Sequence, residues 1–175
     1  RYGREVLGGA EEHCRQVVER LAGRFAVEVF TTCARDYLTW RNAYPAGAEV
    51  IGGVTVQRFP VARTRRVRSF GRFSQAIYDR PHSFRDEAEW MERQGPDAPG
   101  LLAALASRRE EFDLFFFFTY LYPPTYFGLP LVADKAVLLP TAHEEPPLRL
   151  GIFRALFNLP RGFIFNTVEE RALIH

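Results

Sequence analysis

Apolar residues return along positions 10–22 at a helical interval. Ala10, Cys14, Val17, Val18, Leu21 and Ala22 fall on one face of an amphipathic helix, and Gly23 ends it. The run FAVEVFTT then changes to strand chemistry, predicting a strand over residues 26–31. A second strand, over residues 54–59, enters through the Gly52-Gly53 turn and stops at Pro60. Residues 63–97 are less regular, with Arg-rich and polar helical pieces closed by the loop QGPDAPG. LLAALASRREEF reads as a helix whose apolar side is Leu101, Leu102, Ala104 and Leu105. DLFFFFTY follows as a nearly continuous apolar strand, the kind that a parallel sheet covers on both faces. A short helix separates it from another strand, KAVLLP. LRLGIFRALFN is helical, GFIFNT is a last strand, and VEERALIH, residues 168–175, begins a further helix.

Strands that alternate with helices predict a parallel α/β sheet, here of the Rossmann-like, doubly wound kind. In such a sheet the first strand feeds a glycine turn, and the turn feeds the first helix. Gly8 and Gly9 make the turn, but no strand precedes them. The expectation is a sheet lacking its first strand, and a chain whose residues 1–175 form one domain of a longer protein, interrupted again in the last helix.

Composition narrows the classes. The 175 residues are 47% hydrophobic with a mean hydropathy of -0.18, ordinary for a globular domain large enough to bury a core. Phe is concentrated around residues 115–118 and 153–165, which points to strand and helix packing. The net charge of +2 does not call for a nucleic acid partner. Lys135 is the single lysine; every other fixed cation is Arg. Two cysteines, Cys14 and Cys33, fit a reducing compartment or an incidental pair. The longest apolar run, LFFFFTYLY, is the length of a strand and too short to span a bilayer.

Four places carry candidate chemistry. Glycine at a helix start lets backbone N–H groups approach phosphate, so Gly8 and Gly9 are candidate anion contacts; the alternative is a plain tight turn. The pattern is not GxGxxG, because Arg4, Glu5, Val6 and Leu7 fill that space, and no ribose-binding acid follows the next strand. His143, in LLPTAHEEPPL, lies just past a buried strand, where open α/β sheets place ligand contacts. The alternative there is a capping loop with a solvated imidazole. One His beside Glu144 and Glu145 lacks the second ligand cluster a metal site needs. The stretch 58–72 holds Arg58, Arg63, Arg65, Arg66, Arg68 and Arg72 without an acid. It suits an anionic acceptor or membrane surface, or is a solvated basic loop. Tyr120, Tyr122 and Tyr126 follow the phenylalanine strand and could stack on a sugar ring or pack as core. His13 and Cys14 read as structural, and Cys33 as a buried thiol. GxSxG, CxxC, P-loop and DxD patterns are all absent from the sequence.

The opening RYGREVLGGAEEHCRQVVERLAGRFAVEVFTT resembles the start of the amino-terminal domain of GT-B glycosyltransferases of family 4. LLPTAHEEPPL is similar to that family's His-bearing loop, and FIFNTVEERALI to the entry into the helix after the domain's last strand. The resemblance runs over nearly the whole chain through the order and spacing of these segments. It implies the acceptor-side half of a two-domain enzyme that moves a sugar from a nucleotide-sugar donor to a glycan, lipid or small-molecule acceptor. Transfer would retain anomeric configuration and need neither metal nor cofactor. Gly8 and Gly9 would meet the donor diphosphate, and His143 the donor sugar as the catalytic residue. Tyr120, Tyr122, Arg65 and Arg66 are the candidate acceptor contacts. The donor-binding carboxylate motif belongs to the carboxy-terminal domain, so this part alone is expected to be inactive. The setting implied is cytoplasmic, with room for peripheral contact at the inner membrane face. Two other readings stand beside this one: a non-catalytic Rossmann-like binding module, and another GT-B enzyme such as a sugar-nucleotide epimerase or an inverting transferase.

Overall fold

A computed structural model describes residues 1–174. The chain is α/β. Its elements run α1 (Gly9–Leu21), β1 (Glu28–Thr32), β2 (Gly47–Ile51), β3 (Val54–Phe59), α2 (Val67–Asp79), α3 (Phe84–Gln94), α4 (Pro99–Ser107), β4 (Phe115–Phe118), α5 (Pro123–Gly128), β5 (Ala136–Leu139), α6 (Gly151–Leu156), β6 (Gly162–Phe163) and α7 (Val168–Ile174). The helix expected over 168–175 is thus present to Ile174, and residue 175 lies outside the described residues.

The strands form two small sheets, in the order β2-β3-β1 and β4-β5-β6, rather than the single doubly wound sheet expected. Pairing is parallel for β1 with β3, β4 with β5 and β5 with β6. β2 is an addition to the expected strands, and it pairs antiparallel with β3. Its hairpin turns through Gly52 and Gly53 at φ of 60° and 82°, the positive values that a two-residue primed turn requires. AEVIGGVTV carries that signal, with strand residues on both sides of the glycine pair.

Side-chain alternation sets what each sheet buries. Val54 and Val56 of β3 join Val29 of β1, Val18 of α1 and Tyr2 in a small cluster under α1. On the other sheet, Phe115, Phe117, Ala136 and Leu138 pack with Trp90, Met91, Leu101, Leu105, Ile152 and Phe153 in the main core. α4 reaches both sheets, contacting β1 and β3 while its Leu101 and Leu105 join the Phe115 and Phe117 core.

The two sheets lie side by side without joining. Arg108, before β4, pairs with Glu28 at the start of β1 at 2.7 Å, and Phe112 meets Phe30 edge-on at 5.8 Å. At the opposite end Trp40, beyond β1, meets Tyr122, beyond β4, at 5.1 Å. Starts meet starts and ends meet ends, so β1 and β4 run in the same direction. Between these brackets is a cavity of about 700 Å³, lined by all of β1 and β4, by Ala10, Cys14, Val17, Val18 and Leu21 of α1, and by Arg1 and Tyr2.

This slot explains two departures from expectation. The phenylalanine strand is not covered on both faces: Phe115 and Phe117 are buried, whereas Phe116 remains 41% exposed. The apolar face of α1 is mostly half-buried, with Val18 its one fully buried residue. Both surfaces look into the open slot.

Candidate functional site

Parallel strands bring their carboxyl ends to one edge, and the loops that leave that edge carry most of the candidate residues. Three non-glycine residues in these loops have left-handed backbones: Trp40 after β1, Thr119 directly after β4 and Thr141 two residues after β5. Two are β-branched, the type for which positive φ is a marked outlier. Each such residue costs about 1–3 kcal/mol and persists where the surroundings over-determine it, a pattern that gathers at ligand sites.

The start of α1 lies at this edge. Arg1 donates to Arg35 O, beyond β1, at 3.1 Å and lies over the Tyr37 ring, while its other nitrogen pairs with Glu11 at 2.5 Å. His13 meets Phe118, the last residue of β4, edge to face at 5.9 Å. Gly8 is extended, and any side chain there would strike the Glu11 carboxylate; at Gly9 a Cβ would enter open space. The first helical hydrogen bond runs from Glu12 N–H to Gly8 O, leaving the amides of Gly9, Ala10 and Glu11 without an intrahelical acceptor. They are donors for an anion, and Arg1 offsets the charge of Glu11 beside them.

The His143 loop reaches the same edge from β5. Ala142 is fixed by its N–H, which donates to Glu170 Oε1 at 2.8 Å. Glu170 is itself buried and also receives the Asn166 N–H at 2.6 Å, so one carboxylate ties the exit of β5 to the segment after β6. Sequence reading missed Glu170. Its signal is the capping spacing Thr167-x-x-Glu170, and Thr167 Oγ1 does accept the Glu170 N–H at 3.1 Å. His143, next along, is exposed and makes no hydrogen bond to the described residues.

The tyrosines divide. Tyr120 is fully enclosed, its ring 4.7 Å from that of Phe153 and its hydroxyl donating to Glu145 at 2.8 Å. Burial, then the nearby carboxylate, holds its pKa far above the ordinary phenol value. It has no free face for a sugar, so the stacking role expected of it does not fit; it anchors the His143 loop instead, and Glu145 thereby gains a structural role. Tyr126 packs against Phe127 and Phe153. Tyr122 is half-buried, and burial raises its pKa, with Arg65, Glu11, Arg1 and Glu145 all acting on it electrostatically. Its ring meets that of Trp40, over which the Arg65 guanidinium lies at 5.3 Å.

The six arginines also divide. Arg58 is buried, paired with Glu49, donating to Tyr2 O at 2.9 Å and stacked on Tyr44. Arg63 pairs with Asp97 at 2.6 Å. Arg65 donates to Gln94 O at 2.6 Å and lies against Trp40 and Phe70, with burial lowering its pKa. Arg66, Arg68 and Arg72, just before and along the first half of α2, stand exposed without partners among the described residues. The free cationic surface is therefore half of what the sequence displays.

Both cysteines are free thiols; burial pushes Cys14 up to about 12 and raises Cys33, which makes both poor nucleophiles. Among the described residues no group of three or more His, Cys, Asp or Glu is placed to hold a metal, and no helix is long and apolar enough to cross a membrane. Comparison with protein-family models, with curated proteins and with solved structures returns no significant match.

Proposed function

We propose that this chain is the acceptor-side half of a retaining GT-B glycosyltransferase, moving a sugar from a nucleotide-sugar donor to an acceptor. The observation that supports it most directly is the shared edge. The glycine turn opening α1 and the His143 loop both lie at the carboxyl ends of parallel strands, and Tyr122, packed on Trp40, follows the end of β4. In this reading the amides of Gly9, Ala10 and Glu11 face the donor diphosphate. Negative charge collects on that diphosphate as the glycosidic bond breaks, and donors already aimed at it stabilise the charge without reorganising. His143, exposed on an anchored loop, contacts the sugar. Arg65, Arg66 and Tyr122 bound the acceptor side, with Arg66 the exposed cation of the three.

The test is a donor screen on the full-length protein, following nucleoside diphosphate release with and without candidate acceptors. Release that depends on a nucleotide sugar, with product of retained configuration, is expected. In the active protein His143→Ala should lower turnover by well over tenfold, with an unchanged circular dichroism spectrum and melting temperature. Full activity in that variant would remove His143 from the site. A folded full-length protein that binds and turns over no nucleotide sugar would overturn the reading.

A further inference from the structure

The slot between the two sheets has the character of a strand position. β1 is paired on one edge by β3, and β4 on one edge by β5; their other edges face each other across the cavity. Hydrogen-bond directions fix which groups are left over. Cys33 donates its N–H to Phe59 O across the β1/β3 seam, so by alternation the amides of Val29 and Thr31 also turn toward β3. Those of Phe30 and Thr32 turn toward the slot. On the other side Thr119 donates to Leu139 O, which turns the amides of Phe115 and Phe117 toward β5 and those of Phe116 and Phe118 toward the slot. Two edges with open donors, running the same way and walled by apolar side chains, are a template for one more strand. Parallel strands normally lie inside a sheet with both edges satisfied. The exposed apolar residues agree: Phe25, Leu114 and Phe116 are 63%, 42% and 41% exposed, and all three line this cavity.

We propose that the slot seats a β-strand of about five apolar residues, inserted parallel to β1 and β4 and supplied by chain immediately upstream of Arg1 in a longer protein, so that six strands in two sheets become seven in one. The path of the first residues selects this source. Arg1 and Tyr2 line the slot, and Arg1 leaves it beside Arg35 and Tyr37, beyond the carboxyl end of β1. A strand joined to Arg1 therefore runs through the slot toward the carboxyl edge, in the same sense as its neighbours. Tyr2 is held by Arg58 at 2.9 Å and by the valine cluster, which fixes the exit. The inserted strand would feed directly into the Gly8-Gly9 turn, giving that turn a firm base.

Amide hydrogen exchange resolved by residue tests it, on the 175-residue chain and on the same chain carrying its native upstream residues. In the short chain Phe30, Thr32, Phe116 and Phe118 are expected to exchange quickly, while Val29, Thr31 and Phe117 are protected. In the extended chain the first four should slow by more than about tenfold, and amides of the upstream segment should be protected with them. Fast exchange at those four positions in a folded extended chain would overturn the proposal. Protection that appears in the short chain and grows with protein concentration would also overturn it, by showing a second copy in the slot.

Discussion

The two sheets are held by different means. β4, β5 and β6 rest on a broad aromatic and aliphatic core, in which Trp90, Tyr120, Met91, Leu129, Leu138 and Phe153 are all at most 1% exposed. β1, β2 and β3 have a few valines and Tyr2 on the α1 side, and polar anchors supply the rest. Arg58 pairs with Glu49 and holds the Tyr2 carbonyl; Arg1 pairs with Glu11; Arg108 braces Glu28 from across the slot. Where apolar area is short, directional bonds from buried and half-buried arginines fix the geometry, and the loss of one guanidinium is felt more locally than the loss of a core ring.

That contrast can be broken most forcefully at Trp90. Its indole donates to Ser74 Oγ at 2.9 Å and lies among Phe70, Tyr78 and Phe153. Trp90→Ala should cost about 3–5 kcal/mol, read by urea unfolding, and should lower protection in both sheets. A cost below 1 kcal/mol would mean that the large core is not the global support assigned to it. Arg58→Met comes next, at about 2 kcal/mol, because the Tyr2 carbonyl loses a buried donor. Its signature is local: amides of β1 and β3 lose protection while those of β5 keep theirs. Uniform loss across both sheets would contradict the division drawn above. Glu170→Gln is smaller, about 1–2 kcal/mol, since an amide can accept from only one of Ala142 and Asn166 through its oxygen. Faster exchange at one of these two amides is the expected sign, and an unchanged pattern would free the His143 loop from this anchor.

The smallest effect belongs to pH. His82 donates from Nδ1 to Arg80 O, 2.9 Å away, and its Nε2 faces the Glu87 carboxylate at 3.0 Å; the Arg80 carbonyl first, and Glu87 after it, raise the imidazole pKa. A raised folded-state pKa stabilises the fold fully below the ordinary value of about 6.5, and that contribution is lost as pH rises through the raised value. The difference in melting temperature between wild type and His82→Gln should therefore be largest in mild acid and shrink toward pH 8. A difference that grows with pH would reverse the assignment.

The parallel α/β character was legible because β1, β3, β4 and β5 are short apolar runs separated by helical periods. β2 was harder, since Gly47–Ile51 is exposed or half-buried throughout, and its signal lies in the glycine pair that follows it. The division into two sheets could not be read from composition, because a strand edge leaves no mark on the residues that bear it. At the candidate site, the exposed His143 and the glycine turn were visible from position alone. Tyr120 misled because TYLY has the same composition whether a phenol points outward or, as here, inward onto Phe153 and Glu145. Arg58 misled likewise: a charge run in sequence does not show which guanidinium finds Glu49 after folding.

The left-handed threonines carry a lesson for engineering. Thr119 and Thr141 each occupy a conformation that glycine or asparagine enters with less strain, so selection for heat resistance alone should enrich those residues there. Such variants would melt later and let the loops wander, since the Thr119 hydroxyl accepts the Leu121 N–H at 3.4 Å and the Thr141 hydroxyl donates to the Pro140 carbonyl at 2.7 Å. Sturdiness and aim are in opposition at these two positions, and a library scored for both would show it.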